Sequence, residues 1–328
     1  MTGAAPSADR KGYLDWLRGI GVLIMIEGHV IDAWTAAADR TRTAYHWISF
    51  VGGLAGTPIF LFLAGVALAL GAGARMRRGR SAQEVAALAR RRGWQVFGLA
   101  FLFRLQSWAI SGGSPWTLLK VDILNVMGVA MLVAALLWGA GRGRWSRGVL
   151  LTAAAVAAAM VTPLARAAGW VVLLPDPVQA YLRPAPNMTT FTLLPWAGFV
   201  FAGAAVGVWL DAARTPRGER LVALGLGIGG LAVALGGYAA SLLPPLYAAT
   251  SFWTSSPTFF FVRLGAVMAL VPVAYAWNGL APPRAGLRGG DPALGGRSWL
   301  CEFGRSSLFV YWIHVEMAYG VVSFALHH

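Results

Sequence analysis

Five ionisable residues crowd the stretch LDWLRGIGVLIMIEGHVIDA, residues 14–33: Asp15, Arg18, Glu27, His29 and Asp32. Three of them are of types that proton and anion chemistry use. An imidazole such as His29 takes up and returns a proton near neutral pH. A carboxylate one helical turn further on, at Asp32, can hold that ring in one tautomer and stabilise its protonated form. A guanidinium such as Arg18 matches a diphosphate through paired N–H donors, and Asp15 stands three residues before it as a counter-charge. On a helix turning about 100° per residue, the step from Arg18 to His29 comes within about 20° of three full turns. Asp15 and Asp32 fall within about 60° of that line, and Glu27 lies about 200° from His29. The rise from Arg18 to His29 is about 16 Å, roughly half a bilayer's hydrocarbon core. One polar stripe therefore runs along an otherwise apolar helix, with an anion-binding end and a proton-transfer end.

The element that carries this stripe reads as a membrane span. The chain of 328 residues is 57% hydrophobic and 12% charged, with a mean hydropathy of +0.61. Soluble domains carry about a quarter charged residues, so an integral membrane protein is expected. Ionisable groups inside a span are costly and face internal cavities, so the stripe is expected to line one. The 41 glycines suit close helix packing in lipid. The net charge of +14 does not point to nucleic acid, because the basic residues lie in short loops between apolar runs, which is a topology pattern. Cys301 is the single cysteine, which excludes an internal disulfide and a cysteine-ligated metal site; no metal is expected. The first apolar run is too long and too polar for a cleaved signal peptide, so MTGAAPSADRKGY reads as the retained approach to the first span.

A polar loop, residues 35–48, then holds His46. Further spans are expected over SFVGGLAGTPIFLFLAGVALALGAG with Pro58 inside it, 94–111, 121–140, 148–165, LLPWAGFVFAGAAVGVWL, 221–243, 258–279 and 305–326. A Pro-rich connection covers residues 166–190, and a Gly/Pro-rich basic linker precedes the last span. The fold class expected is all-α: a single domain over residues 1–328, forming a polytopic helical bundle of about nine to eleven spanning helices. Seven arginines from Arg75 to Arg92, and further basic loops after the fourth and sixth spans, place those loops and the N-terminus in the cytoplasm. The loops holding His46, Asp176 and Trp253 then face outward, and the location expected is the inner (cell) membrane.

Polar residues in the later spans add candidates. Arg104 and Arg263 lie in apolar runs, so each must face a cavity or a counter-charge, with Asp122, Glu27 and Glu316 as choices. Arg104 joins Arg18 and Asp15 as a candidate for holding an anionic cofactor group. Asn125 shares a helix face with Asp122 and could donate to a developing oxyanion or bridge two helices. His314, in a Tyr/Trp-rich span, reads as a core residue.

The segment LDWLRGIGVLIMIEGH resembles the first span of the transmembrane acyltransferase superfamily, in particular the bacterial relatives of heparan-alpha-glucosaminide N-acetyltransferase and, more distantly, acyltransferase family 3. Supporting similarity lies in TPIFLFLAGVAL, LLPWAGFVFAGAAVG and GRSSLFVYWIHV. The resemblance implies a membrane-embedded acyltransferase with acetyl-CoA as donor and a carbohydrate-like acceptor. Two departures qualify it. Members close to the lysosomal enzyme often have Asn where this chain has His29, with the active histidine in the next external loop, a place that His46 fills here. That branch also carries a Gly-Val-Leu-Gln-Arg run in its fourth span, where this chain has DILNVMG.

The function expected is transfer of an acyl group, acetyl foremost, from cytoplasmic acyl-CoA to a hydroxyl or amine. His29 acts as base, oriented by Asp32; His46 and Asn125 complete the catalytic candidates; Arg18, Asp15 and Arg104 bind the donor. The partners expected are acyl-CoA, the acceptor and the lipid bilayer, with no nucleic acid; association into a homo-oligomer is left open. The competing class is a proton-coupled small-molecule transporter using the same charged stripe.

Overall fold

The computed structural model describes residues 11–280, 299–320 and 323. The approach to the first span through Arg10, the Gly/Pro-rich linker and most of the end of the last span lie outside the described residues. The chain is helical: α1 Gly12–Trp34, α2 Thr43–Val51, α3 Thr57–Arg77, α4 Ala82–Ser111, α5 Ile123–Ala140, α6 Arg144–Ala167, α7 Asp176–Leu182, α8 Leu193–Ala212, α9 Pro216–Ser241, α10 Pro257–Leu280, α11 Trp299–Arg305 and α12 Ser307–Tyr319. Extended pairing among the described residues is confined to one bridge, Val121 to Thr189. It ties the start of α5 to the segment entering α8.

Local chemistry sets the boundaries. Ser81 and Glu84 form a capping box that starts α4, satisfying donors that the first helical turn leaves open. Asp122 and Asn125 form another at α5. Thr215 caps α9, with Pro216 in its first turn, where the missing N–H costs nothing. Two expectations change here. The polar loop 35–48 is in part a helix, α2, and His46 lies on it. The arginine-rich loop contracts to the turn between Arg77 and Ala82, because α3 runs on through Arg75 and Arg77 and α4 already includes Arg90, Arg91 and Arg92. A π-helical turn, Gly52–Gly56, links α2 to α3, and Pro58 falls in the first turn of α3, inside the apolar segment Thr43–Arg77 as expected.

Six segments among the described residues are long and apolar enough to cross a membrane: Thr43–Arg77, Ile123–Ala140, Arg144–Ala167, Leu193–Ala212, Pro216–Ser241 and Pro257–Trp277. Nine to eleven were expected. Helices α1 and α4 are as long, but α1 carries Asp15, Arg18 and Glu27 and α4 carries Glu84, Arg90, Arg91, Arg92 and Arg104; part of the expected last span lies outside the described residues.

Helix α8 is the centre of the bundle, with Phe199, Val200, Ala204 and Leu210 fully or nearly fully buried. It crosses α3 at backbone contact: a Cβ on Gly203 would overlap the carbonyl of Phe62, and one on Gly65 the carbonyl of Val200. In the same way α1 meets α11, where Gly19 lies against Leu300 and Gly304 against Asp15. By contrast α9 presents Leu221, Ile228, Leu231 and Leu235 outward, a face suited to lipid rather than water.

Candidate active site

The charged face of α1 opens into a cavity of about 1070 Å³ bounded by α1, α3, α4, α5 and α12. Arg18, His29, Asp32 and Arg104 all line it. Chain direction orders its two ends. Arg75 near the end of α3 and Arg91 and Arg92 in the first third of α4 line the end shared with Arg18. Asp32 near the end of α1, Lys120 and Asp122 at the entry to α5, and Tyr319 at the end of α12 line the other.

At the arginine-rich end, Asp15 is 5% exposed. Arg18 lies 3.6 Å from its Oδ1 and Arg305 3.7 Å from its Oδ2. Arg305 also pairs with Glu302 at 2.9 Å. The buried carboxylate thus anchors two guanidinium groups that both reach the cavity wall. Asp15 itself is not among the lining residues; it acts through those arginines.

At the other end, His29 Nδ1 lies 2.8 Å from the Met25 carbonyl oxygen and 3.2 Å from Nε2 of His314. His314 Nδ1 in turn lies 2.8 Å from the Val310 carbonyl oxygen. A carbonyl oxygen only accepts, so each ring carries its proton on Nδ1. The lone pair of His314 Nε2 then faces the N–H of His29, and Nε2 of His29 keeps its own lone pair for another proton. The partners that set the tautomer of His29 are therefore Met25 and His314. Asp32, expected in that role, instead accepts a hydrogen bond from the Tyr319 hydroxyl at 2.8 Å, and Tyr319 packs edge-on to His29 with ring centroids 5.6 Å apart.

Arg104 forms an ion pair with Asp122 at 2.6 Å. Asp122 also accepts from the Ile123 N–H at 2.6 Å, and its own N–H donates to Asn125 Oδ1 at 3.0 Å. Asn125 is thus held inside the cap of α5, 1% exposed, and does not line the cavity. His46 sits exposed on α2 against Tyr45, with ring centroids 5.9 Å apart, and is likewise outside the lining. Beside the Arg104 pair, burial lowers the pKa of Lys120, and the Arg104 charge lowers it further against the pull of Asp122. Glu316, also on the wall, has a buried Oε1 without a hydrogen-bond partner among the described residues. Arg263 lies elsewhere, over the rings of Phe259 at 4.1 Å and Trp196 at 5.2 Å.

His314, Tyr319 and Lys120 escape a reading of the sequence as site residues. Helix periodicity aligns residues within α1, but no spacing rule connects His29 with a residue 285 positions later. The signal present was chemical: a histidine and a glutamate two residues apart, His314 and Glu316, in an apolar run.

In chemical terms, one water-accessible space joins a cluster of phosphate-matching guanidinium groups to an imidazole with a free lone pair. The family model described as heparan-alpha-glucosaminide N-acetyltransferase, catalytic, matches residues 10–229. A search of curated proteins gives no match.

Proposed function

The chain belongs to the family of the heparan-alpha-glucosaminide N-acetyltransferase catalytic domain, a family of membrane acetyltransferases, and from that premise we propose that it moves an acetyl group from acetyl-CoA to a hydroxyl or amine of a carbohydrate-like acceptor. The observation that carries this reading is the cavity shared by Arg18, His29, Asp32 and Arg104. The diphosphate of the donor binds at Arg18, Arg305 and the α4 arginines, where paired N–H donors match phosphate oxygens. Its pantetheine arm, roughly 15–20 Å long, follows the stripe of α1, whose rise from Arg18 to His29 is about 16 Å. The thioester carbonyl then meets the acceptor beside His29.

Nε2 of His29 takes the acceptor's proton as the acceptor oxygen or nitrogen bonds to the thioester carbon. The tetrahedral intermediate collapses by breaking the carbon–sulfur bond. The proton then passes from the imidazolium to the departing CoA thiolate, so that the base is regenerated. His314 steadies the ring through the Nδ1–H of His29. Asp32 acts on the acceptor side through Tyr319, and Arg104 with Asp122 forms the wall of the outer half. We assign Asn125 to positioning, through the cap that holds Asp122, and leave His46 outside the chemistry.

The test uses purified full-length protein with acetyl-CoA and glucosamine as probe acceptor, reading free thiol and acetylated sugar together. Acceptor-dependent thiol release with a matching yield of acetylated product is expected. Proton-coupled uptake into vesicles by a protein that neither binds nor consumes acetyl-CoA would instead support the transporter reading.

A further inference from the structure

A second cavity, of about 250 Å³, opens where the ends of α3, α5 and α8 meet the start of α6, and it shares no lining residue with the first. Its rim carries Arg77, Arg144, Arg147 and Arg214 against a single carboxylate, Asp211. Four guanidinium groups less one carboxylate leave a surplus of three positive charges around a space of phosphate-headgroup size. Arg77 and Arg214 both donate to the same oxygen, Asp211 Oδ1, at 2.7 and 2.9 Å. Arg147 is held by neutral groups: its Nε donates to the carbonyls of Trp138 and Gly141 at 3.1 and 3.0 Å, and its guanidinium lies 3.8 Å over the Trp138 ring. Its charge is thus fixed in place with no carboxylate paired to it among the described residues. Arg144 is exposed at the first position of α6.

The surface next to this basic cavity is apolar. Trp145 and Val149 of α6 are 64% and 63% exposed, and Trp145 packs edge-on to Trp209 of α8 at 4.6 Å. An exposed tryptophan at the end of an apolar spanning helix marks the headgroup level of the bilayer. The cations therefore lie at headgroup depth, with a track for acyl chains beside them.

We propose that this cavity is a binding site for an anionic phospholipid of the leaflet on the side of the basic loops. The phosphate enters among Arg77, Arg144 and Arg214 while the chains lie along Trp145 and Val149. A zwitterionic lipid would bring its own cation into a positive site, so the site should select net-negative headgroups. The proposal is independent of the acetyl-transfer reading.

The full-length protein in detergent, titrated with phosphatidylglycerol or phosphatidylcholine and read by native mass spectrometry, tests it. Phosphatidylglycerol should be retained preferentially, and Arg144→Gln with Arg214→Gln should lower that preference by roughly thirtyfold, since each basic residue near a lipid surface adds about 1 kcal/mol. Asp211→Asn should strengthen retention, a gain that a misfolded protein cannot produce. Arg144→Gln alone, at an exposed position, serves if the double variant does not assemble. An unchanged preference in a folded Arg144→Gln/Arg214→Gln protein overturns the proposal. So does displacement of phosphatidylglycerol by millimolar glycerol phosphate, which would assign the cavity to a soluble phosphate.

Discussion

The two ring nitrogens of His29 do different work. Nδ1 is committed to the Met25 carbonyl and His314, and Nε2 is left to accept a proton. General-base catalysis contributes about 10² to 10⁴ in rate. His29→Ala should lower acetyl transfer by that order while leaving donor affinity nearly unchanged, because the phosphate site proposed at Arg18 is about 16 Å away along α1. His314→Asn should cost less than His29→Ala and should shift the pH–rate profile, since it alters the partner of the base and keeps the base itself. A loss without any change in the profile would mark His314 as packing alone. His46→Ala should retain most activity, in keeping with its exposed place on α2 outside the cavity. Arg18→Ala should weaken CoA binding, measured by calorimetry, and Arg18→Lys should restore it only in part, because an ammonium cannot form the paired contact. Unaltered CoA affinity in a folded Arg18→Ala protein would remove Arg18 from the phosphate site.

At the scale of helices, what was legible in the sequence is what depends on local geometry. The alignment of Arg18 with His29 follows from one helix's periodicity, and the apolar runs mark α5, α6, α8, α9 and α10 within a few residues. The Arg104–Asp122 pair was one of several choices for Arg104, and the fold selects it because α4 and α5 pack side by side, joined by the connection 112–122. Three features escaped that reading. Asn125 closes a cap, a local role open to it beside an oxyanion or interhelical one and selected by the extended backbone of Asp122. His46 is on a helix because α2 continues through a π turn into α3. His314 meets His29 because α11 packs on α1 and carries α12 with it. The close α3–α8 crossing predicts that Gly203→Ala, which would push a methyl into the Phe62 carbonyl, costs about 1–3 kcal/mol in overpacking. A lowered melting temperature in detergent checks it. Lys120 supplies a pH test at the joint between α4 and α5. Its folded pKa is lowered, first by burial and then by Arg104. A lysine in that state costs stability while protonated, and the cost fades as pH rises through the folded value toward the ordinary 10.5. The melting temperature of the parent protein should therefore gain on that of Lys120→Gln from neutral to alkaline pH. The opposite drift would mean that Lys120 is stabilised as a cation.

Across the whole molecule, helix direction and charge work together. The arginines of Arg75–Arg92 and those at the starts of α6 and α9 gather on one face, and the cavity runs from that face toward Asp32, Lys120 and Tyr319. In the function proposed above, a soluble CoA donor would enter from the basic face and the acceptor from the opposite one. Reporter fusions in the turns after Arg77 and Gly141 should therefore report the cytoplasm, and a fusion within residues 35–42 should report the outside; the reverse pattern would place the donor end on the wrong side for CoA. The central claim is that one cavity couples a donor-phosphate site at Arg18 to a base at His29. Its most direct test measures acetyl-CoA binding and acceptor-dependent thiol release in parallel on folded His29→Ala and Arg18→Ala proteins. His29→Ala should keep donor affinity and lose turnover, and Arg18→Ala should lose donor affinity. Near-normal turnover in His29→Ala, or donor affinity unaffected in Arg18→Ala, would contradict that claim.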